Sequence, residues 1–369
     1  MQNSQSINDP KFLQRLIDLS TELDMPYEAV YTEAVACYKE LKTTHQPLAN
    51  IAGFEVAQFV LSRGYDKTID VNPEEIKNIG KLTRESSIAF VMTHKTYIDM
   101  FVLAVVLGRH GIPFPYTFAG INMDFMGFGQ LARQNGVIFI RRSFKEDQIY
   151  KATLKHFIAS KVEEGADFMW AIEGTRSRTG KIVWPKVGIL KYIREAEADI
   201  VQSVKYVPVS IVYDLIPDVK EMTLESKGKI KKKESLQWFL NYVNKMGDKF
   251  GKISIRFGDP VEANTENSVD IITEGHNTEA YSGKLSRFAL ELVHNINKVT
   301  PVTTASLICI SLLSKFSLTK KDIEHDVLDL MTLIEDENIE ALVDRGKPIG
   351  ESVQKGLRLL KKARSLQRT

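Results

Sequence analysis

Cysteine is scarce: Cys37 and Cys309 stand far apart in apolar surroundings, and no CxxC or Cys/His pairing accompanies them. Neither a disulfide framework nor a thiolate zinc site is indicated, and a reducing, cytoplasmic setting is the natural reading. Long apolar runs are missing as well. The longest, Met100 to Leu107 and Ala305 to Leu313, fall short of the roughly 20 residues a membrane-spanning helix needs. The opening MQNSQSINDPK has no apolar core, so no secretory signal is expected, and the protein reads as soluble or peripheral. Net charge is only +2, which is not the footprint of a nucleic-acid binder. There is no GxxxxGK[ST] loop and no GxGxxG between a strand and a helix. A phosphate would therefore be held by side-chain cations. His94, His110 and His156 lack companion carboxylates in HExxH-like spacing, so no metal is expected.

What is present is a chain of 369 residues, 43% hydrophobic, long enough for two domains or one large domain with a smaller helical one. Residues 1–79 read as a helical N-terminal region, with Phe12, Leu13, Leu16, Ile17 and Leu23 at helical spacing and a restart near Pro26. From about residue 80 to 300 the pattern becomes strands alternating with helices. SIAFVMT, GVIFIRR, DFMWAIEG, VKYVPVSIVYD and GKISIRFGDPV are the strand candidates. That alternation predicts an α/β domain, a mixed sheet flanked by helices. Residues 301–369 read as a helical C-terminal region.

Three stretches can carry chemistry. MTHKTYIDM places His94 and Asp99 five positions apart, directly after an apolar strand. On one continuous helix that offset separates side chains by about 140°. With His94 in the loop and Asp99 in the first helical turn, the two converge, and the carboxylate would orient the imidazole as a general base. The alternative is a loop histidine beside a capping aspartate. GVIFIRR ends a strand in Arg141 and Arg142, at the edge where α/β folds place ligands, and arginine's fork suits phosphate. A solvated basic loop is the alternative. AIEGTRSRTGKIVWPKVG follows a strand with Glu173, Gly174, Arg176, Arg178, Lys181 and Lys186, and Gly174 lets backbone approach a ligand closely. Residues 136–191 hold eleven Lys/Arg against six Asp/Glu, so positive charge gathers beside the candidate base. A phosphorylated substrate accounts for that better than a neutral one.

HKTYID, GVIFIRR, EGTRSRTGK and VPVSIVYD resemble, in order, the four motif blocks of the glycerol-3-phosphate and dihydroxyacetone-phosphate acyltransferases (HxxxxD acyltransferases). FAGINMDFMGFGQLARQNG between the first two blocks, and GKISIRFGDPV and INKVTPVTTASLICISLL after the fourth, are also similar to the family. The likeness covers roughly residues 80 to 330. It implies acyl transfer from acyl-CoA or acyl-acyl-carrier-protein, as co-substrate, to the sn-1 hydroxyl of glycerol 3-phosphate. That reaction is the first step of phospholipid synthesis and requires no cofactor. It further implies His94 as general base, Asp99 as its orienter, and Arg141, Arg142, Glu173, Gly174, Thr175, Arg176, Arg178 and Lys186 around the acceptor, with Pro208 shaping the donor side. Family members often carry arginine after the histidine, whereas Lys95 here keeps the charge without the fork. The chain also begins without the long N-terminal region of many bacterial glycerol-phosphate enzymes. Dihydroxyacetone phosphate is the alternative acceptor. A lysophosphatidate acyltransferase is a further reading, and a non-catalytic lipid- or carrier-binding scaffold a last one.

Two basic stretches suggest contact with an anionic membrane surface, as a peripheral protein on the inner face. KGKIKKKES at 227–235 is one. The other is GLRLLKKARSLQRT, where Leu359, Leu360, Ala363 and Leu366 recur among lysines and arginines as in an interfacial helix. A terminal helix docked on its own domain is the alternative for the tail. A solvated loop, or a face for an acidic carrier protein, is the alternative for 227–235.

Overall fold

Ser87–Met92 (β2) is buried at every position, because it lies mid-sheet with helices over both faces. Its alternating side chains divide between two cores. Ile88, Phe90 and Met92 enter one, Ala89 and Val91 the other. The computed structural model describes residues 7–124, 128–144, 146–200, 203–229, 235–247, 250–263, 278–314, 318–343 and 346–368, with the side chains of 199–200, 278–282 and 362–368 outside the described set.

The sheet has seven strands. From one edge they run β1 (Asp70–Val71), β7 (Ile253–Phe257), β6 (Val204–Tyr213), β2, β5 (Phe168–Ala171), β3 (Tyr116–Gly120) and β4 (Val137–Ile140). β6, β2, β5, β3 and β4 are parallel, while β7 pairs antiparallel with β6 and parallel with β1. The sheet is thus mixed, as expected. Two strands of this sheet lie outside the anticipated set. β3 is hidden in the proline-flanked IPFPYTFAG, and β1 falls inside the segment read as wholly helical.

One face of the sheet is covered by α3 (Pro47–Gly64), α4 (Pro73–Glu85), α5 (Asp99–Arg109) and α10 (Leu236–Lys245). The other carries α2 (Tyr27–Leu41), α7 (Gln148–Glu163), α8 (Gly188–Ile200) and α11 (Thr278–Lys298). Asp9 caps α1 (Pro10–Glu22), accepting from Phe12 N at 3.0 Å, and Phe12 stacks on His156 of α7 at 4.2 Å between centroids. α1 is therefore fastened to the helices that cover the sheet.

Short α6 (Phe128–Gln134) leads into β4, and α9 (Val219–Ser226) follows β6. Beyond α11, β8 (Val302–Thr303) pairs with β9 (Ala341–Leu342). Around them α12 (Thr304–Ser314), α13 (Lys320–Asp336) and α14 (Ile349–Arg368) enclose a cluster of Leu307, Ile308, Ile323, Val327 and Val353. Leu359 and Leu360 of α14 pack against the sheet's core, and Leu360 also joins this C-terminal cluster. That part of the tail follows the docked alternative, since its apolar stripe already has a protein partner. The side chains of Ala363 and Leu366, residues 230–234 of the basic stretch, and 125–127 of the connecting segment lie outside the described residues. Among the described residues, no helix is long and apolar enough to cross a membrane.

Candidate active site

Parallel strands β2, β4, β5 and β6 all end at the same edge of the sheet. The segments that follow them carry His94, Arg141, Glu173 and Asp218, respectively. The sequence-derived expectation of one shared edge holds.

His94 lies in the loop after β2 and Asp99 opens α5, the geometry that lets the pair meet. His94 Nδ1 is 3.0 Å from Asp99 Oδ2. Asp99 Oδ2 also accepts from Lys95 N at 2.7 Å and Thr96 N at 2.9 Å, so the carboxylate shapes the loop that holds the histidine. Tyr213 donates its hydroxyl to Asp99 Oδ1 at 2.6 Å. Burial keeps that phenol well above its ordinary titration range, so it remains a donor. Lys95 N, Thr96 N and Tyr213 Oη all donate hydrogen bonds to this carboxylate. A carboxylate only accepts, so it favours the neutral tautomer with hydrogen on Nδ1, in which Nε2 of the part-exposed imidazole is an acceptor.

Glu173 binds backbone. Its Oε2 accepts from His94 N at 2.6 Å and its Oε1 from Val183 N at 2.8 Å, in a fully enclosed position. Burial pushes its carboxyl up, and these two amides pull it back down. The side chain expected to hold a cation or a substrate hydroxyl instead ties the loop after β5 to the histidine loop. Gly174 follows at φ +60°, left-handed backbone that a side chain disfavours, and an added Cβ would sit 3.4 Å from Lys186 Cγ. Thr175, Arg178 and Lys186 are exposed beside it. Ser177 N donates to the His94 carbonyl at 2.9 Å, which sets Arg176 one residue from direct contact with the histidine loop.

Arg176 is nearly enclosed. Its Nη2 lies 3.2 Å from Glu225 Oε1, its Nη1 3.4 Å from Asp218 Oδ2, and its guanidinium carbon 4.4 Å from the centre of the Tyr97 ring. Its Nε and Nη1 have no hydrogen-bond acceptor among the described residues. Arg178 Nε reaches the other oxygen of Glu225 at 3.1 Å.

Arg141, Arg142 and Pro208 are not brought to the pair. β5 and β3 separate β4 from β2, about 14 Å across the sheet at 4.8 Å per strand. Arg141 is encircled there: Nε and Nη2 bond Glu40, Nη1 bonds Asp147 at 2.7 Å, and the guanidinium stacks on Tyr150 at 4.4 Å. Its fork grips a carboxylate of α2, a partner the sequence did not disclose. Arg142 donates from Nε to Asn122 at 2.7 Å. Pro208 lies inside the sheet, paired with Val91, and accepts from Gly258 N at 2.8 Å. It is thus part of the strand interior, away from the edge where a donor would bind.

Three supporting groups escaped the reading of the sequence, and a fourth, Lys95, was read only as a charge. Tyr213 had a usable signal, since it ends the fourth block. Asp218 is buried and accepts from Thr96 Oγ1 at 2.5 Å, and burial pushes its carboxyl up against the pull of Arg176. Glu225 shows no local pattern at all. Lys95 turns its ammonium onto the Ile211 carbonyl at 2.7 Å, and burial pushes that amine down. It braces β6 instead of offering charge to a ligand.

The family model described as "Acyltransferase" matches residues 72–212, and that of the "Glycerol-3-phosphate acyltransferase C-terminal region" matches 222–369. A plsB1 protein of Mycobacterium tuberculosis, provisionally named an acyltransferase, is 32% identical over 302 residues, 81% of this chain and 47% of that one. A glycerol-3-phosphate acyltransferase of Pseudomonas fluorescens is 24% identical over 331 residues, 86% of this chain and 38% of that one. The chain thus spans about half the length of these relatives or less. A solved 1-acyl-sn-glycerophosphate acyltransferase from Thermotoga maritima aligns at a TM-score of 0.35 and 15% identity, over 78% of this chain and 97% of that chain. The chain is thus similar to acyltransferases over residues 72–212 and to the C-terminal region of glycerol-3-phosphate acyltransferases over 222–369.

Proposed function

We propose that the protein transfers a fatty acyl group from acyl-CoA or acyl-acyl-carrier-protein to the sn-1 hydroxyl of glycerol 3-phosphate, forming lysophosphatidic acid. The observation that carries this reading is the 3.0 Å contact between His94 Nδ1 and Asp99 Oδ2, set against a loop of arginines. A hydroxyl is a weak nucleophile until a base removes its proton. His94 Nε2 takes that proton as the oxygen bonds to the thioester carbonyl carbon. The C–S bond then breaks, and the departing thiolate recovers the proton from the imidazolium. Atoms balance without a covalent enzyme intermediate, a metal or a bound cofactor.

Arg176, Arg178 and Lys186 are the groups we assign to the acceptor's phosphate. Holding it there delivers the hydroxyl already oriented, which lowers the entropic part of the barrier. Arg141 and Arg142 lie after the far strand of the same edge, away from the phosphate, and Arg141 has its charge balanced there by Glu40 and Asp147. Glu173 and Gly174 keep their part in the site by shaping its loop.

Attachment to the inner face of the membrane is the setting we propose. In its support, Leu48, Ile51 and Phe59 lie exposed on α3, with Arg63 over the Phe59 ring. Acceptor-dependent thiol release tests the activity, with glycerol 3-phosphate and dihydroxyacetone phosphate as rival acceptors. Flotation with anionic vesicles tests the attachment. A folded protein that releases no thiol with any donor–acceptor pair would be a scaffold instead.

A further inference from the structure

Each end of α9 carries a carboxylate that grips an arginine of the third block, and the two carboxylates differ. Asp218, at the N-terminal end, is 2% exposed and is also held by Thr96 Oγ1 at 2.5 Å and Tyr97 N at 3.4 Å. It cannot leave without stranding buried donors. Glu225, at the C-terminal end, bonds only Arg176 and Arg178 among the described residues, one oxygen to each. A carboxylate bridging two guanidiniums occupies the position that a phosphate would take, because the arginine fork fits either anion. Arg176 Nε also lacks an acceptor among the described residues, and its Nη1 meets Asp218 only at 3.4 Å, so the guanidinium has donor capacity that one Glu225 oxygen does not use.

We propose that Glu225 is an internal competitor for the acceptor's phosphate, displaced from Arg176 and Arg178 when a phosphorylated acceptor binds. The inference rests on the phosphate-binding role proposed above for these arginines. A phosphate dianion brings more charge and one more oxygen than the carboxylate, so the exchange favours it. A neutral polyol has no charge with which to displace Glu225 and leaves both bridges in place. Displacement frees the C-terminal end of α9 while Asp218 keeps the other end in place.

The test compares wild type with Glu225→Gln, which keeps the shape and removes the charge. Calorimetric titration with glycerol 3-phosphate, inorganic phosphate and glycerol is run beside thiol-release kinetics. Dissociation constants for both phosphate ligands should fall about tenfold in the variant, equivalent to about 1.4 kcal/mol, with glycerol unaffected. Unchanged or weaker phosphate binding overturns the proposal. A second measurement needs no variant: hydrogen exchange in residues 219–226 of wild type should quicken on adding inorganic phosphate. Exchange there that slows or stays constant overturns the proposal too. The outcomes also separate the two readings. Acyl transfer by wild type, with phosphate affinity unchanged in Glu225→Gln, removes only the exchange. Tighter phosphate binding in the variant, with no acyl transfer by either protein, keeps the exchange and removes the acyltransferase reading.

Discussion

Tyr213 Oη lies 2.6 Å from Asp99 Oδ1, while the other oxygen of that carboxylate meets His94. The phenol comes from the last residue of β6, so the neighbouring strand holds Asp99 in place. Tyr213→Phe removes one donor from an enclosed carboxylate, whose loss is worth about 1–3 kcal/mol. The expected outcome is a kcat lowered roughly tenfold with acceptor KM little changed. Steady-state kinetics decide it, and a change confined to KM would show that the tyrosine does not act through the base.

Glu173 joins two loops through backbone amides. Glu173→Gln puts an NH2 group where one amide needs an acceptor. Stability should fall by about 1–3 kcal/mol and activity should fall with it. Thermal unfolding read beside initial rates checks this. Full activity at reduced stability would place the loop's shape outside the chemistry.

The two blocks of arginines should respond in opposite ways. Arg141→Ala breaks partly exposed ion pairs to Glu40 and Asp147, so the melting temperature should drop while acceptor KM stays within about twofold. Arg176→Gln removes the buried guanidinium next to the catalytic loop and should raise acceptor KM at least about tenfold. Equal rises in KM for both variants would return Arg141 to the acceptor.

At the opposite end of the sheet, Asp167 Oδ1 accepts from Ile88 N at 2.7 Å, and burial pushes its carboxyl from 3.8 up to about 6. In the unfolded chain the group loses its proton near the lower value. Stability from this residue is therefore present below about pH 4, declines between about pH 4 and 6, and stays reduced above. Asp167→Asn keeps an oxygen for Ile88 without the charge. The variant should be more stable than wild type at pH 7.5, on the order of 1–2 kcal/mol, and indistinguishable at pH 4. Denaturant titrations at the two pH values give the comparison.

How much of this was legible in the sequence depends on the range of each interaction. The central strands were visible because every position from Ser87 to Met92 is buried, and continuous apolar runs advertise that. β3 and β1 were not. One is five residues between prolines and glycine, and the other is two residues long, too short to show a period. His94 and Asp99 could be paired on paper, since the loop needed to close five positions was short. Arg141 could not be placed, because its partner Glu40 is 101 residues away and only folding brings α2 over β4. Glu225 was invisible for the same reason, being 49 residues from Arg176. Motifs disclosed which groups gather at the sheet edge, and the carboxylates that already hold them emerged only in three dimensions.

The most direct measurement is thiol release from palmitoyl-CoA and from an acyl-carrier-protein thioester, with glycerol 3-phosphate or dihydroxyacetone phosphate, in wild type and His94→Ala. Acceptor-dependent release by wild type, reduced about 100- to 10,000-fold in a variant with an unchanged melting profile, is the predicted result. Release that persists in His94→Ala at the wild-type rate would contradict the assignment of His94 as the base.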